Sequence, residues 1–294
     1  MVKKNKKLKD KSLIDIGIPI YNESKNLLKT LKNLSSFKNL NIRFIIADNC
    51  STDSSSEIYK IFSQTDKRFK YFVHKKKISS FKNFNYVFNK SNSKYFLWNS
   101  GHDLRSINFI RDAIKVMEED SSIALCYSNT KINNKRNFNL ININNELKFN
   151  SFFNIMKFFY HLDFNFQIYG MFRSSFLNKT QLFRNCIGGD TFLIKEIAFL
   201  GKICKLNTRS FTNLIINFYA NWDLYKEKHL NSFQNINFFN DYFINQLRIN
   251  FEIIKKYEKN FTKILFYFIL FSLKLIKQLF YIYFEKIKIY VKKS

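Results

Sequence analysis

Proline occurs once in the 294 residues and glycine six times. Cysteine occurs four times, at Cys50, Cys126, Cys186 and Cys204, with no CxxC pair among them. That spacing argues against a zinc site and against a disulfide framework, and it fits a reducing cytosol. The amino terminus is rich in lysine but lacks the apolar stretch of a secretory leader. No internal repeat is evident. Acidic residues are scarce: 22 Asp and Glu stand against 49 Lys and Arg, a net charge of +27. Aromatic residues make up 18% and charged residues 24%, so the composition is not that of a disordered chain. A chain of this length buries a substantial core and accommodates one or two domains.

Three readings of the charge stand side by side. Lysine clusters neutralise nucleic-acid phosphates. They are also drawn to an anionic membrane surface. The third reading is compositional drift, because Lys, Asn, Ile and Phe are abundant throughout. Apart from Lys3 to Lys11 and Lys75-Lys76-Lys77, the lysines are dispersed. No nucleic-acid module accompanies them, so nucleic acid is the least favoured partner.

What is present is a βαβ pattern. Ile16-Gly-Ile-Pro-Ile-Tyr-Asn-Glu23 and Phe44-Ile-Ile-Ala-Asp-Asn-Cys-Ser-Thr-Asp53 are apolar runs that stop at turn-forming residues, the mark of buried strands. Between them Leu27, Leu28, Leu31 and Leu34 recur at helical spacing. Such a unit is parallel with a right-handed crossover, and ligands of open sheets bind beyond the strands' carboxyl ends. Tyr21, Asn22, Glu23, Asp48 and Asn49 fall there. Alternation continues with a strand at 71–74, a helix at 81–88, a strand at 95–98, a helix at 107–117, a strand at 123–127 and a helix at 191–200. Residues 129–150 have little pattern.

Four blocks together resemble family-2 glycosyltransferases, the inverting, nucleotide-sugar-dependent group of the GT-A fold. They are Ile16 to Glu23; Ala47-Asp-Asn-Cys-Ser-Thr-Asp53; Phe81-Lys-Asn-Phe-Asn85 with Tyr95-Phe-Leu-Trp-Asn-Ser-Gly-His-Asp103; and Gly188-Gly-Asp190 with the helix after it. The resemblance covers residues 13 to about 206. It implies an α/β fold with a Rossmann-like mixed sheet flanked by helices, followed by a helical C-terminal extension. The expected domains are a basic arm at 1–11, the transferase domain at 12–210 and a helical region at 211–294.

The same resemblance assigns roles. Asp48 would accept the N–H of uracil, although an Asp in such a turn also caps it unaided. Pro19 and Tyr21 would wall the base; a Tyr at the core edge is the alternative. Glu23 reaches the nucleotide or caps its own helix, and Asn83 matches a family position near the nucleotide. Asp53 caps the next helix. Asp103 would carry Mg²⁺ or Mn²⁺, supplying counter-charge to a diphosphate leaving group. His102 stands where the family usually has an acid and is a weaker candidate for metal or phosphate. Asp190 would be the general base, with an N-cap role compatible. Gly170 and Arg173 would line the acceptor side. His74, His161 and His229 are read as structural.

The implied activity is transfer of one sugar from a nucleotide-diphospho-sugar, UDP being favoured, to a glycan or lipid-linked acceptor. A non-catalytic nucleotide- or glycan-binding domain is the alternative, and a basic nucleic-acid binder the third. In the tail the uncharged run from Ile264 to Leu273 is too short to span a bilayer, which takes about 20 apolar residues. With Lys263, Lys274, Lys277 and Glu285 near one stripe, the stretch 261–286 has the pattern of an interfacial helix or a packed one. The expected location is the cytoplasm, at the inner face of the membrane.

Overall fold

The computed structural model describes residues 12–128, 131–132, 166–186, 188–208, 211–213, 244–260, 262–270, 272–273 and 276. The expected basic arm, the 129–150 segment apart from 131–132, His161 and His229 lie outside the described residues. Two compact units are present: residues 1–148 with 164–233, and residues 149–163 with 234–294.

In the first unit the chain alternates as its pattern predicts. β1 (Ile14–Ile20) leads to α1 (Ser24–Ser35), β2 (Ile42–Asp48), α2 (Ser55–Thr65), β3 (Phe69–Val73), α3 (Ser80–Asn89) and β4 (Tyr95–Trp98). β5 (Asp103–Arg105), α4 (Ile107–Glu119), β6 (Ile123–Ser128) and β7 (Lys131–Ile132) follow. A 3-10 turn at Phe166–Tyr169 opens β8 (Met171–Arg173) and α5 (Ser174–Leu177). α6 (Gly189–Leu200), β9 (Lys202–Leu206) and β10 (Phe211–Asn213) complete the unit. Strands β5, β7, β9 and β10 are too short or too polar to register as apolar runs.

Seven strands form one sheet in the order β3-β2-β1-β4-β8-β6-β9. All pairings are parallel except those of β8, which runs antiparallel between β4 and β6. This mixed sheet flanked by helices is the GT-A architecture. A second sheet of order β5-β10-β7 begins at Asp103.

β1 is buried along its whole length, and so is β4, so both read as continuous apolar runs. Gly17 is needed because a Cβ there would lie 2.6 Å from Phe96 Cζ and from Val87 Cγ2. α3 therefore closes directly onto the sheet. Trp98 anchors the carboxyl end of β4, edge-on to Phe172 and Phe183, and its Nε1–H donates to the Phe84 carbonyl.

Asp15 is the exception in β1, a fully buried charge at its amino-terminal end. Arg43 of β2 donates to both its oxygens through Nε and Nη2, and the Ser12 and Ser91 hydroxyls and the Asn92 N–H also donate. Burial alone would raise its pKa, but these donors hold it below the usual carboxylate value. Its stabilisation is therefore present above about pH 4 and is lost as pH falls through the lowered folded value.

In the second unit α7 (Asn245–Tyr257) is amphipathic, burying Ile249, Ile253 and Ile254. Residues 262–270, 272–273 and 276 are helical, and Phe268 meets Phe251 of α7 edge-on at 5.8 Å. No described helix is long and apolar enough to cross a membrane.

Arg43→Ala leaves Asp15 buried without its cation. The cost is roughly 2–3 kcal/mol at neutral pH, below the full cost of breaking a buried pair because Arg43 is partly in water. Urea titrations should show that difference shrinking below about pH 4, where Asp15 protonates.

Candidate functional site

The carboxyl ends of β1, β2 and β4 gather the sequence's site residues, and the loops leaving them are sewn together. Asn22, held at φ 54°, donates its N–H to Ser51 Oγ and accepts the Thr52 N–H on Oδ1. The Glu23 N–H donates to Ser55 Oγ. Asp53 accepts the Ser24 N–H on one oxygen and the Ser55 N–H on the other. One carboxylate thus caps α1 and α2 together, not only the helix that follows it. Partial burial opposes its charge, yet the Ser55 and Ser24 donors hold its pKa at about 2.

Asp48 ends β2 and is almost fully buried. Oδ1 accepts the Ser51 N–H, and Oδ2 accepts the Tyr59 hydroxyl at 3.0 Å. Burial and the Asp48 charge together push the Tyr59 pKa up, which keeps it a donor. Both carboxylate oxygens therefore hold the turn as well as facing the strand end. Pro19 is buried within β1. Tyr21 carries the Lys77 ammonium 4.0 Å from its ring centroid. Asn83 sits where β1 and β2 end, its amide donating to the Ala47 carbonyl at 3.1 Å, with the Ile20 carbonyl at 3.5 Å. Its Oδ1 meets His74 Nε2 at 2.9 Å, so His74 has a named partner. Asn83 is a tie between strand ends whose side-chain amide is already engaged.

Beyond β4 the chain turns through Asn99 to Asp103. Gly101 admits the Glu23 side chain, whose Cγ would lie 2.8 Å from a Cβ. Glu23 grips His102 Nδ1 with both oxygens, at 2.9 and 3.0 Å. Glu23 stands at the N-cap of α1 but makes no side-chain cap bond. The position expected to be acidic is thus a histidine joined to an acid from the first loop.

Asp103 is completely buried, and neither carboxylate oxygen has a hydrogen-bond partner of normal geometry. Burial pushes its pKa up against the pull of His102 and Arg105 and the nearby Ser100 hydroxyl, and Glu23 adds to the rise. Arg105 is buried beside it. It donates to the carbonyls of Trp98 and Tyr169 and to Asn99 Oδ1, and burial lowers its pKa to about 10. The Tyr169 hydroxyl is bonded to Ser100 Oγ. Arg105 and Tyr169 carried no signal in the sequence, because they meet each other and Ser100 across more than sixty residues. A buried carboxylate lacking donors fits a hard cation that brings its remaining oxygen ligands with it. Among the described residues no three His, Cys, Asp or Glu side chains converge to hold a metal unaided.

The acceptor-side and base residues are placed unevenly. Gly188, at φ 74°, caps α6, and Gly189 starts it; a Cβ on Gly189 would lie 2.0 Å from the Arg184 carbonyl. Asp190 is therefore inside the first turn rather than before the helix, with Oδ1 accepting the Thr191 N–H. Asn85 of α3 clasps Phe183 through both its N–H and its carbonyl, which fastens the segment leading to Asp190 onto α3. Gly170 packs against β6, where a Cβ would meet the Cys126 carbonyl at 2.4 Å. Arg173 is not brought to the site. It pairs with Tyr95, at the far end of β4, and donates to the carbonyls of Ile123, Met117 and Asp120.

Residues 15–180 match the model of glycosyl transferase family 2. The chain belongs to that family. The family-2 fold recurs in solved structures. One is Staphylococcus aureus TarS 1–349, with a TM-score of 0.68 and 15% identity, covering 89% of this chain and 71% of that one. The same fragment in complex with UDP-GlcNAc matches at 0.65 and 15%, covering 85% and 69%. A mannosyltransferase from Pyrobaculum calidifontis with GDP-Man and Mn²⁺ matches at 0.56 and 11%, covering 90% and 70%. The chain spans 41% of the longer S. aureus TarS structure. No curated protein matches.

Two substitutions separate site from scaffold. Asp53→Ala should cost about 1 kcal/mol through the two lost caps. Because the folded pKa is lowered, that loss is seen at neutral pH and fades as pH falls from about 4 towards 2. Asp103→Asn removes a buried charge without changing shape. The ligand-free protein should melt about 2–4 °C higher, the equivalent of ~1 kcal/mol in a chain of this size, in differential scanning calorimetry.

Proposed function

We propose that this family-2 protein transfers a single hexose, with inversion, from a UDP-sugar to a glycan or lipid-linked acceptor in the synthesis of a surface polysaccharide or glycoconjugate. The observation that carries the proposal is the buried carboxylate of Asp103, without a hydrogen-bond donor of normal geometry, beside the stitched loops at the strand ends. An unpaired acid there is costly unless a ligand completes it.

Asp48 and the loop at Pro19, Tyr21 and Glu23 take the nucleotide, with Asn83 fixing the strand ends beneath it. Asp103 would hold Mg²⁺ or Mn²⁺, aided by His102, which Glu23 keeps oriented. When bound, the cation balances the charge that gathers on the departing diphosphate. Asp190 accepts the proton of the acceptor hydroxyl as its oxygen forms the new bond to the anomeric carbon. The bond from that carbon to the diphosphate oxygen breaks on the opposite face. Gly170 stands on the acceptor side. UDP is favoured by the Asp48 turn, and by the UDP-GlcNAc complex of the TarS fragment. Use of a divalent ion is in keeping with the Mn²⁺ of the mannosyltransferase complex.

Thermal-shift measurements with UDP, GDP, dTDP and CMP, each with and without Mn²⁺, test the reading. UDP with Mn²⁺ at about 100 times its dissociation constant should add ~2.7 kcal/mol of stability, and Asp103→Ala should abolish the gain. Asp190→Asn should keep that gain while donor turnover falls about 10²–10⁴-fold. Stabilisation by UDP without turnover in the wild type would mark a binding domain instead.

A further inference from the structure

The helical residues 262–270, 272–273 and 276 present an apolar face to solvent. Leu265, Phe266, Ile269, Leu273 and Ile276 are each between 42 and 57% exposed. At about 100° per residue their positions fall within one arc of roughly 100°. The opposite side of the same helix is the packed one. Tyr267 is fully buried, and Phe268 meets Phe251 of α7. One side of the helix is thus packed, and on the other five large apolar side chains stay about half-exposed. Scattered exposed leucines are ordinary on a protein surface, but a contiguous apolar stripe is not. Phe251 and Ile244 of the same unit are exposed as well.

Charge decides what covers the stripe. From residue 244 onward the sequence has eleven Lys and Arg against three Glu, a surplus of eight, within a chain of net +27. Lys263 is exposed on this helix, and Lys255 and Lys256 end α7. Lys277 follows in the sequence at the flank of the same arc. A second copy would bring the same surplus against it and be repelled. An anionic lipid surface offers the opposite charge at its headgroups and an apolar layer just beneath them. No described helix can cross a bilayer, so the contact is one of lying on the surface.

We propose that the face of Leu265, Phe266, Ile269, Leu273 and Ile276 is a membrane-docking surface that seats in the headgroup boundary of anionic lipid, with the flanking lysines on the phosphates. Exposed apolar residues supply insertion and the lysines supply attraction, so both lipid charge and the apolar stripe are required. The surface brings a transferase to where lipid-linked acceptors lie, although the docking itself does not depend on the transferase reading.

Flotation of the full chain tests it, with vesicles of phosphatidylcholine alone and of phosphatidylcholine mixed with phosphatidylglycerol. The wild type should float with the anionic vesicles and stay behind with the neutral ones. A variant combining Leu265→Ser, Ile269→Ser and Leu273→Ser should lose about tenfold or more in partitioning onto the anionic vesicles. All three positions are exposed, so its melting curve and its stabilisation by UDP should match the wild type. That readout keeps loss of docking separate from failure of the donor site. Three outcomes overturn the proposal. One is a wild type left behind by both vesicles. Another is a variant that floats as the wild type does, in which case lysine charge alone acts. The third is a wild-type dimer in light scattering that the variant lacks, so that a second copy covers the stripe.

Discussion

A carboxylate taken out of water must be met by donors or a cation, or the fold carries the cost of its desolvation. Asp103 has none of normal geometry, and the surrounding architecture holds it in place regardless. The Asn99 N–H caps the pairing of β4 with β1 by donating to the Gly17 carbonyl. Arg105 then pins the turn from the other side, spending its guanidinium on the Trp98 and Tyr169 carbonyls. Trp98 is itself wedged among Phe88, Phe96, Phe172 and Phe183. The aromatic core thus secures the ends of a loop whose middle is electrostatically unfavourable. Strain of this kind persists only where surrounding packing over-determines it.

The first two loops face the opposite problem, too many main-chain donors and too few acceptors. Helix amino termini leave N–H groups unpaired. Asp53 serves two helices, Ser51 and Asn22 bridge two loops, and Asp48 satisfies the turn that follows it. Each polar side chain is shared between elements from different parts of the sequence. The loops are therefore set relative to each other before any ligand arrives, which lowers the ordering cost of binding.

The strands β1, β2 and β4 were legible because burial on both faces writes an apolar run, from Ile16 in β1 and from Phe44 in β2. The helices α1, α3 and α4 were legible from their spacing. Asp48, Glu23 and Asp103 could be placed at strand ends by the same logic. What could not be read depended on partners remote in sequence. Arg173 looked available for an anion, yet its donors go to three main-chain carbonyls of the α4–β6 region. Asn83 looked like a ligand contact and is a tie between strands. The paired glycines at 188 and 189 suggested a helix starting after Asp190. Instead Gly188 supplies a left-handed entry and Gly189 a close approach to Arg184, so the helix begins earlier. Glu23 and His102, 79 residues apart, show no local sign of meeting.

The reversed strand β8 gives the sheet an order of assembly. β1 to β4 can pair as soon as residue 98 is made, but the other edge of β4 is filled only by Met171–Arg173. At ~5–20 residues per second, the chain between them takes on the order of 10 s to synthesise. For that interval Tyr95-Phe-Leu-Trp98 is an apolar strand edge with no partner. Unpaired edges of this kind recruit other strands, so the growing chain passes through a sticky stage that its finished form conceals.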